Sequence, residues 1–186
     1  GTASFTPTDD NVYEGNETGI VVISSVSGGG ATESGSQSVT LTITENESAP
    51  TVTLTSSASS IVENAGSSLT LTATLSGAAD ENVVVSISTS GTGTEGTDYS
   101  TISDITISAG STTGTASFTP TDDSVYEDDE TGIVAISGVS GGGATESGAQ
   151  TVTITITENE SAPTVTLATS ATSIAENAGS SLTLTA

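Results

Sequence analysis

The sequence has no lysine, arginine or histidine, and its 23 acidic residues leave a formal net charge of -23 over 186 residues. No side chain can neutralise these carboxylates, so neutralising cations must come from the solvent. The missing basic residues also exclude the positive surface that nucleic acid requires, and no apolar run is long enough to span a membrane. We therefore expect a protein that recruits cations and has no nucleic-acid partner and no direct membrane insertion.

Cysteine is absent as well, which excludes disulfide bonds, and without lysine there is no isopeptide cross-link. The same absences remove the usual general base, thiol nucleophile, Schiff-base amine and oxyanion clamp. Paired carboxylates alone could hydrolyse glycosides, but we expect them to lie on a convex surface without a cleft. The expectation is that the protein is not an enzyme.

Aromatic residues are also scarce, which would suit a disordered chain, but a regular pattern argues against disorder. Segments such as Thr151–Thr157 alternate threonine with valine or isoleucine, which is typical of a half-buried strand. The pattern predicts seven strands, at about 51–56, 67–76, 82–89, 101–108, 114–120, 131–137 and 150–157. It predicts an all-β fold, a seven-stranded antiparallel immunoglobulin-like β-sandwich.

An internal repeat organises the chain. Residues 1–10 return unchanged as 114–123, and residues 61–69 return with one change as 174–182, so both pairs of segments share a single offset. A period of this length suits a whole domain in a tandem array. We expect residues 1–49 to be the last strands (E to G) of one repeat, 50–162 a complete repeat, and 163–186 the first strands of the next.

Acidic residues fall at one end of the predicted sandwich, because alternate turns of an up-and-down strand succession share an end. Calcium accepts six to eight oxygen ligands in flexible geometry, whereas zinc usually requires histidine or cysteine. The alternative is that these are ordinary solvated turn residues. The turns at this end carry Glu63, Asp98 and the acidic run 122–130, and Glu158 and Glu160 follow the last strand there.

The opposite end carries few acids. Its turns contain Asp80 and Glu81, residues 109–111, and a glycine-rich loop at 140–148. We interpret these turns as flexible connections, with a contact surface for a partner as the alternative role of the glycine-rich loop.

The sequence resembles the Calx-beta repeat, a calcium-binding sandwich of sodium/calcium exchangers and large bacterial surface proteins. The resemblance rests on 62–66 (VENAG), 96–99 (GTDY) and 121–131 (TDDSVYEDDET), in that order. It implies calcium ligands at Glu63, Asp98, Asp122, Asp123, Glu127, Glu158 and Glu160 in the complete repeat, and at the acids Asp9, Asp10, Glu14, Glu45, Glu47 and Glu176 of the flanking fragments. Gly132 stands where the family tends to have an aromatic residue, so we expect strand F to pack more loosely.

Three functions follow as hypotheses. The first is a calcium-rigidified spacer or adhesive module of a secreted or cell-surface adhesin or fibre, whose partners are neighbouring repeats and cell-surface or matrix ligands. The second is a subunit of a self-assembling extracellular filament, completed by strands from other copies. The third is a calcium sensor that regulates a partner. All but the third place the protein outside the cell.

Overall fold

A computed structural model describes residues 1–186, and every regular element in it is a β-strand. The structure contains no helix with the length and apolarity needed to cross a membrane. The strands are β1 (Val12–Tyr13), β2 (Glu17–Val22), β3 (Ser38–Ile43), β4 (Thr51–Ser56), β5 (Ser60–Val62), β6 (Leu69–Leu75), β7 (Ala78–Ala79), β8 (Val83–Gly91), β9 (Ile105–Ile107), β10 (Thr113–Phe118), β11 (Glu130–Ser140), β12 (Thr145–Glu146), β13 (Thr151–Thr157), β14 (Ala168–Thr169) and β15 (Leu184–Thr185).

Ten of these strands, β4 to β13, belong to the central unit, and nine of them form two facing sheets. One sheet has the order β10-β6-β4-β12 and the other β5-β13-β11-β8-β9. The pairs are antiparallel except for β12 with β4 and β5 with β13, which are parallel. The predicted all-β sandwich is therefore confirmed.

The core lies between the two sheets and is built by strict alternation. Val52 and Leu54 of β4 point inward beside their cross-strand partners Leu75 and Ala73 of β6, while the threonines between them point outward. All 19 residues of the buried hydrophobic cluster lie between Val52 and Ile156. Burial of these aliphatic side chains is the main term that stabilises the unit, at roughly 1.5–3 kcal/mol for each large side chain.

Each of the seven predicted stretches contains a strand, with two differences of detail. The strand expected at 101–108 is shorter and consists of β9 alone. It begins after Asp104, whose Oδ1 atom accepts the backbone N–H of Ile87 at 2.9 Å in place of a backbone carbonyl. The short strands β7 and β12 were missed, and so was β5. It pairs in parallel with β13, so the first strand of the unit crosses from one sheet to the other.

The flanking segments form small paired structures of their own. β2 pairs with β3 and β14 pairs with β15, both antiparallel, while β1 pairs in parallel with β7 of the central unit. No residue of 1–49 or 163–186 is buried. These segments therefore have strands but no core.

Gly132 of β11 shows that the expected loose packing of strand F is wrong. A Cβ atom at this position would lie 2.7 Å from Cε2 of Phe118, a fully buried ring that stacks on Tyr99 with centroids 4.6 Å apart. The two aromatic rings come from neighbouring strands and loops and occupy the space above the glycine. The missing side chain at 132 is thus compensated, because its volume is supplied by Phe118.

The interpretation of the glycine-rich loop as a flexible connection is also wrong. Gly142 is buried, and a Cβ atom there would lie 2.7 Å from Cβ of Ala79. Ala144 of the same loop belongs to the hydrophobic core, and the loop continues into β12, which pairs with β4. The loop is therefore packed against the sandwich.

Substitution of Gly132 by alanine should destabilise the protein by about 1–3 kcal/mol, since the new methyl group overpacks the buried Phe118 ring. Gly19 is the matched control, because it is the equivalent glycine of the preceding copy. A Cβ atom at Gly19 would meet the ring of Phe5 at an ordinary 3.9 Å. Urea unfolding of both variants checks the prediction, and equal losses for the two would contradict it.

Candidate metal site

The parallel pairing of β5 with β13 places two acidic turns side by side. Val62 is the partner of Thr157, and the N–H of Glu63 donates to the carbonyl oxygen of Thr157 at 3.0 Å. Both strands therefore finish at the same end of the sandwich. The residues that follow them, Glu63 and Glu158, become neighbours although most of the central unit separates them in the sequence.

Three carboxylates form the first group at this end. Oxygen atoms of Glu63, Glu158 and Glu160 all lie within 4.8 Å of one another. Glu63 is only 7% exposed, which makes it the one buried acidic residue of the protein. The Oε2 atom of Glu160 is buried and has no hydrogen-bond partner. A buried oxygen without a partner is costly, and a cation placed between these groups would satisfy it.

Glu158 is the anchor of this group. Its carboxylate accepts hydrogen bonds from the backbone N–H groups of Glu127 at 2.6 Å and of Asn159 and Glu160 at 2.7 Å. These donors, with that of Glu127 contributing most, lower the pKa of Glu158 to about 2. Glu158 therefore carries a negative charge at any physiological pH.

The other two carboxylates of this group, those of Glu160 and Glu63, have raised pKa values. The neighbouring Glu158 carboxylate, to which a protonated Glu160 would donate a hydrogen bond, raises the pKa of Glu160 to about 7 together with burial. Burial raises the pKa of Glu63, although the N–H of Asp123 donates to its Oε1 atom at 3.1 Å and opposes this shift. Without a cation, protons relieve part of the repulsion between these carboxylates.

A second group lies beside the first, and a small cleft joins the two, so the expectation of a surface without a cleft was wrong. Oxygen atoms of Asp98, Glu127 and Glu130 lie within 4.8 Å of one another, and burial followed by the charge of Asp98 raises the pKa of both glutamates. The cleft that joins the two groups is lined by Glu63, Asp98, Thr121, Glu127, Asp128, Glu130, Ile156 and Glu158. The six carboxylates of the two groups can thus offer oxygen ligands to metal in one confined region.

Glu130 is the one member of the two groups that the predicted ligands did not include, although the acidic run 122–130 that contains it was expected at this end. It is the first residue of β11, where Gly132, Val134 and Ile136 face the interior. The period-2 alternation continues backwards onto Glu130 and turns its side chain inward at the edge of the core. That alternation was the available signal, because an acidic residue in register with buried ones is seldom an ordinary turn residue.

Asp122 and Asp123 are adjacent to the site but belong to neither three-carboxylate group. Their charges add to the upward shift of the pKa of Glu63, after burial. Asp123 also accepts the N–H of Val125 at 2.6 Å through Oδ1. The structure therefore gives Asp123 a role in shaping the turn between β10 and β11.

Residues 1–49, the first fragment, contain a carboxylate bound in the same way as that of Glu158. Glu45 accepts the backbone N–H groups of Glu14 at 2.5 Å, Gly15 at 2.6 Å and Glu47 at 3.0 Å. These bonds, that of Glu47 foremost, lower the pKa of Glu45 to about 2, while a hydrogen bond shared with Glu45 raises the pKa of Glu47. The geometry at Glu45 thus reproduces that at Glu158, its equivalent in the next copy.

The remaining predicted ligands are placed differently. Asp9 accepts Nδ2 of Asn46 at 3.1 Å, and Asp10 accepts the N–H of Val12 at 2.8 Å, so both lie beside the acidic cleft of the first fragment. Glu176 is exposed and belongs to neither three-carboxylate group. The structure does not bring Glu176 into a site.

Fold and site together define a metal-binding β-sandwich module. The sequence profile of the Calx-beta domain matches residues 3–47 and 45–160. The chain therefore belongs to the Calx-beta family, as the resemblance predicted, and its cofactor is Ca²⁺. The adjacent carboxylates and the unpartnered Glu160 oxygen fit that ion.

Two solved structures are similar in fold. The apo-form Calx CBD1 domain is 18% identical, with a TM-score of 0.49 over 59% of this chain and 98% of its own. CBD12 from CALX1.2 is 20% identical, with a TM-score of 0.46 over 53% of this chain and 41% of its own. No curated protein matches the sequence.

Stability without calcium should fall as the pH rises from about 4.5 to about 7, because the folded protein keeps a proton at Glu160 that the unfolded chain releases. Glu158 acts oppositely, since its contribution is present above pH 4.5 and is lost as the pH falls towards about 2. Thermal melting in EGTA at pH 5, 6 and 7.5 measures the first trend.

The Glu160→Gln variant should flatten this pH dependence, and Glu81→Gln, at an exposed position of the opposite end, should leave it unchanged. Excess calcium should abolish the decline, because the cation replaces the proton. A melting temperature in EGTA that rises between pH 5 and 7.5 would contradict the assignment.

Proposed function

We propose that the chain is a segment of an extracellular array of Calx-beta repeats, in which calcium stiffens a spacer or adhesive module. The observation that carries the proposal is the position of the acidic groups. Glu158 and Glu160 come directly after the last strand of the sandwich, where the backbone continues towards the following segment. An ion bound there is attached both to the sandwich and to the connection leaving it.

The repeat boundaries are part of the proposal. Residues 1–49 are the last strands of one repeat, 50–162 a complete repeat, and 163–186 the first strands of the next. The match of the family profile in two sections supports this division, and so does the confinement of the core to the central unit.

We assign the ligands as two neighbouring ion positions. Glu63, Glu158 and Glu160 would hold one ion, and Asp98, Glu127 and Glu130 the other, since each trio lies within 4.8 Å. Calcium supplies positive charge that the chain lacks. Calcium binding would replace the repulsion between these carboxylates by attraction. It would thereby hold together β5, β13, the segment between β8 and β9, and the turn between β10 and β11.

A calcium sensor is the second candidate, and membership of the Calx-beta family favours it. Sensor sites bind calcium at roughly 0.1–10 µM, whereas extracellular structural modules bind at about 0.1–1 mM. The near-identical copies along the chain favour bulk architecture over tuned individual sites. Isothermal titration of the chain with calcium separates the two candidates.

A filament subunit is the third candidate. The pair β2 and β3 exposes Ile20, Val21, Val22 and Val39, each more than half exposed, and strands from another copy could cover this surface. Missing strands of the same repeat account for it equally well, so we place the filament below the array. In none of these roles does the protein act as an enzyme.

Calcium should raise the melting temperature of the chain, because it binds only the folded state. At a free concentration one hundredfold above the Kd, the stabilisation is about 2.7 kcal/mol, or roughly 10 °C for a domain of this size. Glu63→Gln should lose most of this gain, while Glu81→Gln should keep it. A melting curve of the unsubstituted chain that ignores calcium would defeat the proposal.

Small-angle scattering tests the stiffening itself. In calcium the chain should scatter as one rigid particle, and in EGTA the fragment 1–49 should move relative to the central unit and broaden the distance distribution. The Glu45→Gln variant should resemble the EGTA state even in calcium, because the first fragment loses its anchor. Identical curves in calcium and EGTA would refute stiffening at this junction.

A further inference from the structure

A tyrosine of the first fragment sits against the glycine-rich loop of the central unit. Val12 and Tyr13 of β1 pair in parallel with Ala78 and Ala79 of β7, and the N–H of Asp80 donates to the carbonyl oxygen of Tyr13 at 3.1 Å. A Cβ atom on Gly143 would lie 2.5 Å from Cε1 of Tyr13. The ring therefore occupies the space that any larger residue at 143 would fill.

The loop is shaped to receive the ring. Gly141, Gly142 and Gly143 all have positive φ angles, of 88°, 51° and 60°. Cβ atoms on the first two would lie 2.1 Å from the carbonyl oxygen of Asn82 and 2.7 Å from Cβ of Ala79. Only glycine allows the loop to lie this close to β7 and leave its outer face flat.

The same two elements occur a second time without partners. Val125 and Tyr126 are the equivalents of Val12 and Tyr13, and they are 58% and 37% exposed, whereas the first pair is half-buried. Gly30 is the equivalent of Gly143, with a similar φ of 68°, yet a Cβ atom placed on it would have no neighbour within 4 Å. Each element is covered only where its counterpart from an adjoining repeat is present.

The turn that presents the tyrosine is preformed in both copies. Asp10 accepts the N–H of Val12 at 2.8 Å, and Asp123 accepts the N–H of Val125 at 2.6 Å. The N–H of Asp123 donates to Glu63, a member of the first carboxylate group. The turn is thus held by the same residues that surround the proposed ions.

The two copies differ in one respect. The hydroxyl of Tyr126 donates to Asp128, whereas Gly15 stands at the equivalent position beside Tyr13. The exposed tyrosine therefore has a local partner for its hydroxyl, and its ring remains accessible.

We propose that successive repeats join head to tail through this contact: the valine and tyrosine of the turn between β10 and β11 dock on the glycine-rich loop and the β7 edge of the following repeat. Tyr126 and Val125 form the docking element for the repeat that follows, and Gly28 to Gly30 belong to the receiving loop for the repeat that precedes. The proposal rests on the tandem array proposed above and names its junction.

Electrostatics link the junction to calcium. Asp80 donates through its backbone N–H to Tyr13, the residue that precedes Glu14, and Asp10, Glu17 and Glu45 lie in the same fragment as Glu14. Asp80 belongs to the central unit and the other acids to the first fragment, so docking brings like charges together across the junction. Bound calcium would reduce that repulsion, and the apolar contact through Tyr13 supplies attraction that does not depend on charge.

Disulfide trapping in the full 186-residue chain tests the docking, since the chain has no cysteine of its own. Neighbouring strands lie about 4.8 Å apart, within the Cα separation that a disulfide spans. The V12C/A78C variant should form an intramolecular disulfide under mild oxidation at low concentration. The V125C/A78C variant is the matched control, because its two positions lie at opposite ends of the sandwich, and it should form none.

Glycine substitution provides a second measurement. In the V12C/A78C background, Gly143→Ala should slow the trapping about tenfold, because its methyl group displaces the Tyr13 ring. Gly30→Ala carries the same backbone strain without the ring and should leave the rate unchanged. Equal effects of the two alanines would overturn the proposed role of the glycine loop.

Trapping in calcium and in EGTA separates this proposal from the one on which it rests. Faster trapping in calcium supports both. Equal trapping in the two conditions supports the docking and refutes calcium stiffening at the junction. No trapping of V12C/A78C in either condition, or equal trapping of the control pair, overturns the docking whatever calcium does to the melting temperature.

Discussion

The fold places several carboxylates close together at one end of the sandwich, and their mutual repulsion is the constraint that the rest of the structure must satisfy. The edge strand β5 pairs in parallel with β13, and this pairing brings Glu63 against Glu158 and Glu160. Because the chain has no basic side chain, an internal salt bridge cannot relieve this repulsion. The burial of the aliphatic core holds the end together, and a divalent cation is the natural complement to the charge.

Backbone N–H groups stabilise the ionised carboxylates of this protein, as lysine and arginine side chains do in other proteins. Glu158 and Glu45 each accept several N–H groups from turns, and these bonds keep both carboxylates ionised. Their neighbours Glu160 and Glu47 instead have raised pKa values. Each site therefore combines a carboxylate that is held ionised with a neighbour whose pKa is raised, so calcium binding is expected to compete with protons.

The acidic end and the proposed junction are parts of one structure. Asp123 bonds through its N–H to Glu63 and through its carboxylate to the turn that presents Val125 and Tyr126. A change in the metal site can thus reach the docking element over two hydrogen bonds. In the proposed array, this short path couples calcium occupancy to the angle between repeats.

The sequence alone determined the strands, the repeat and most of the acidic residues of the site. Alternation of threonine with aliphatic residues encodes strands directly, and counting turns assigns each acid to one end. The inward side chain of Glu130 could have been predicted from the alternation along β11, whereas the pairing of β5 with β13 and the volume of Phe118 above Gly132 were decided by tertiary structure. They depend on which surfaces meet across the two sheets, and local patterns carry no information about contacts between residues so distant along the chain.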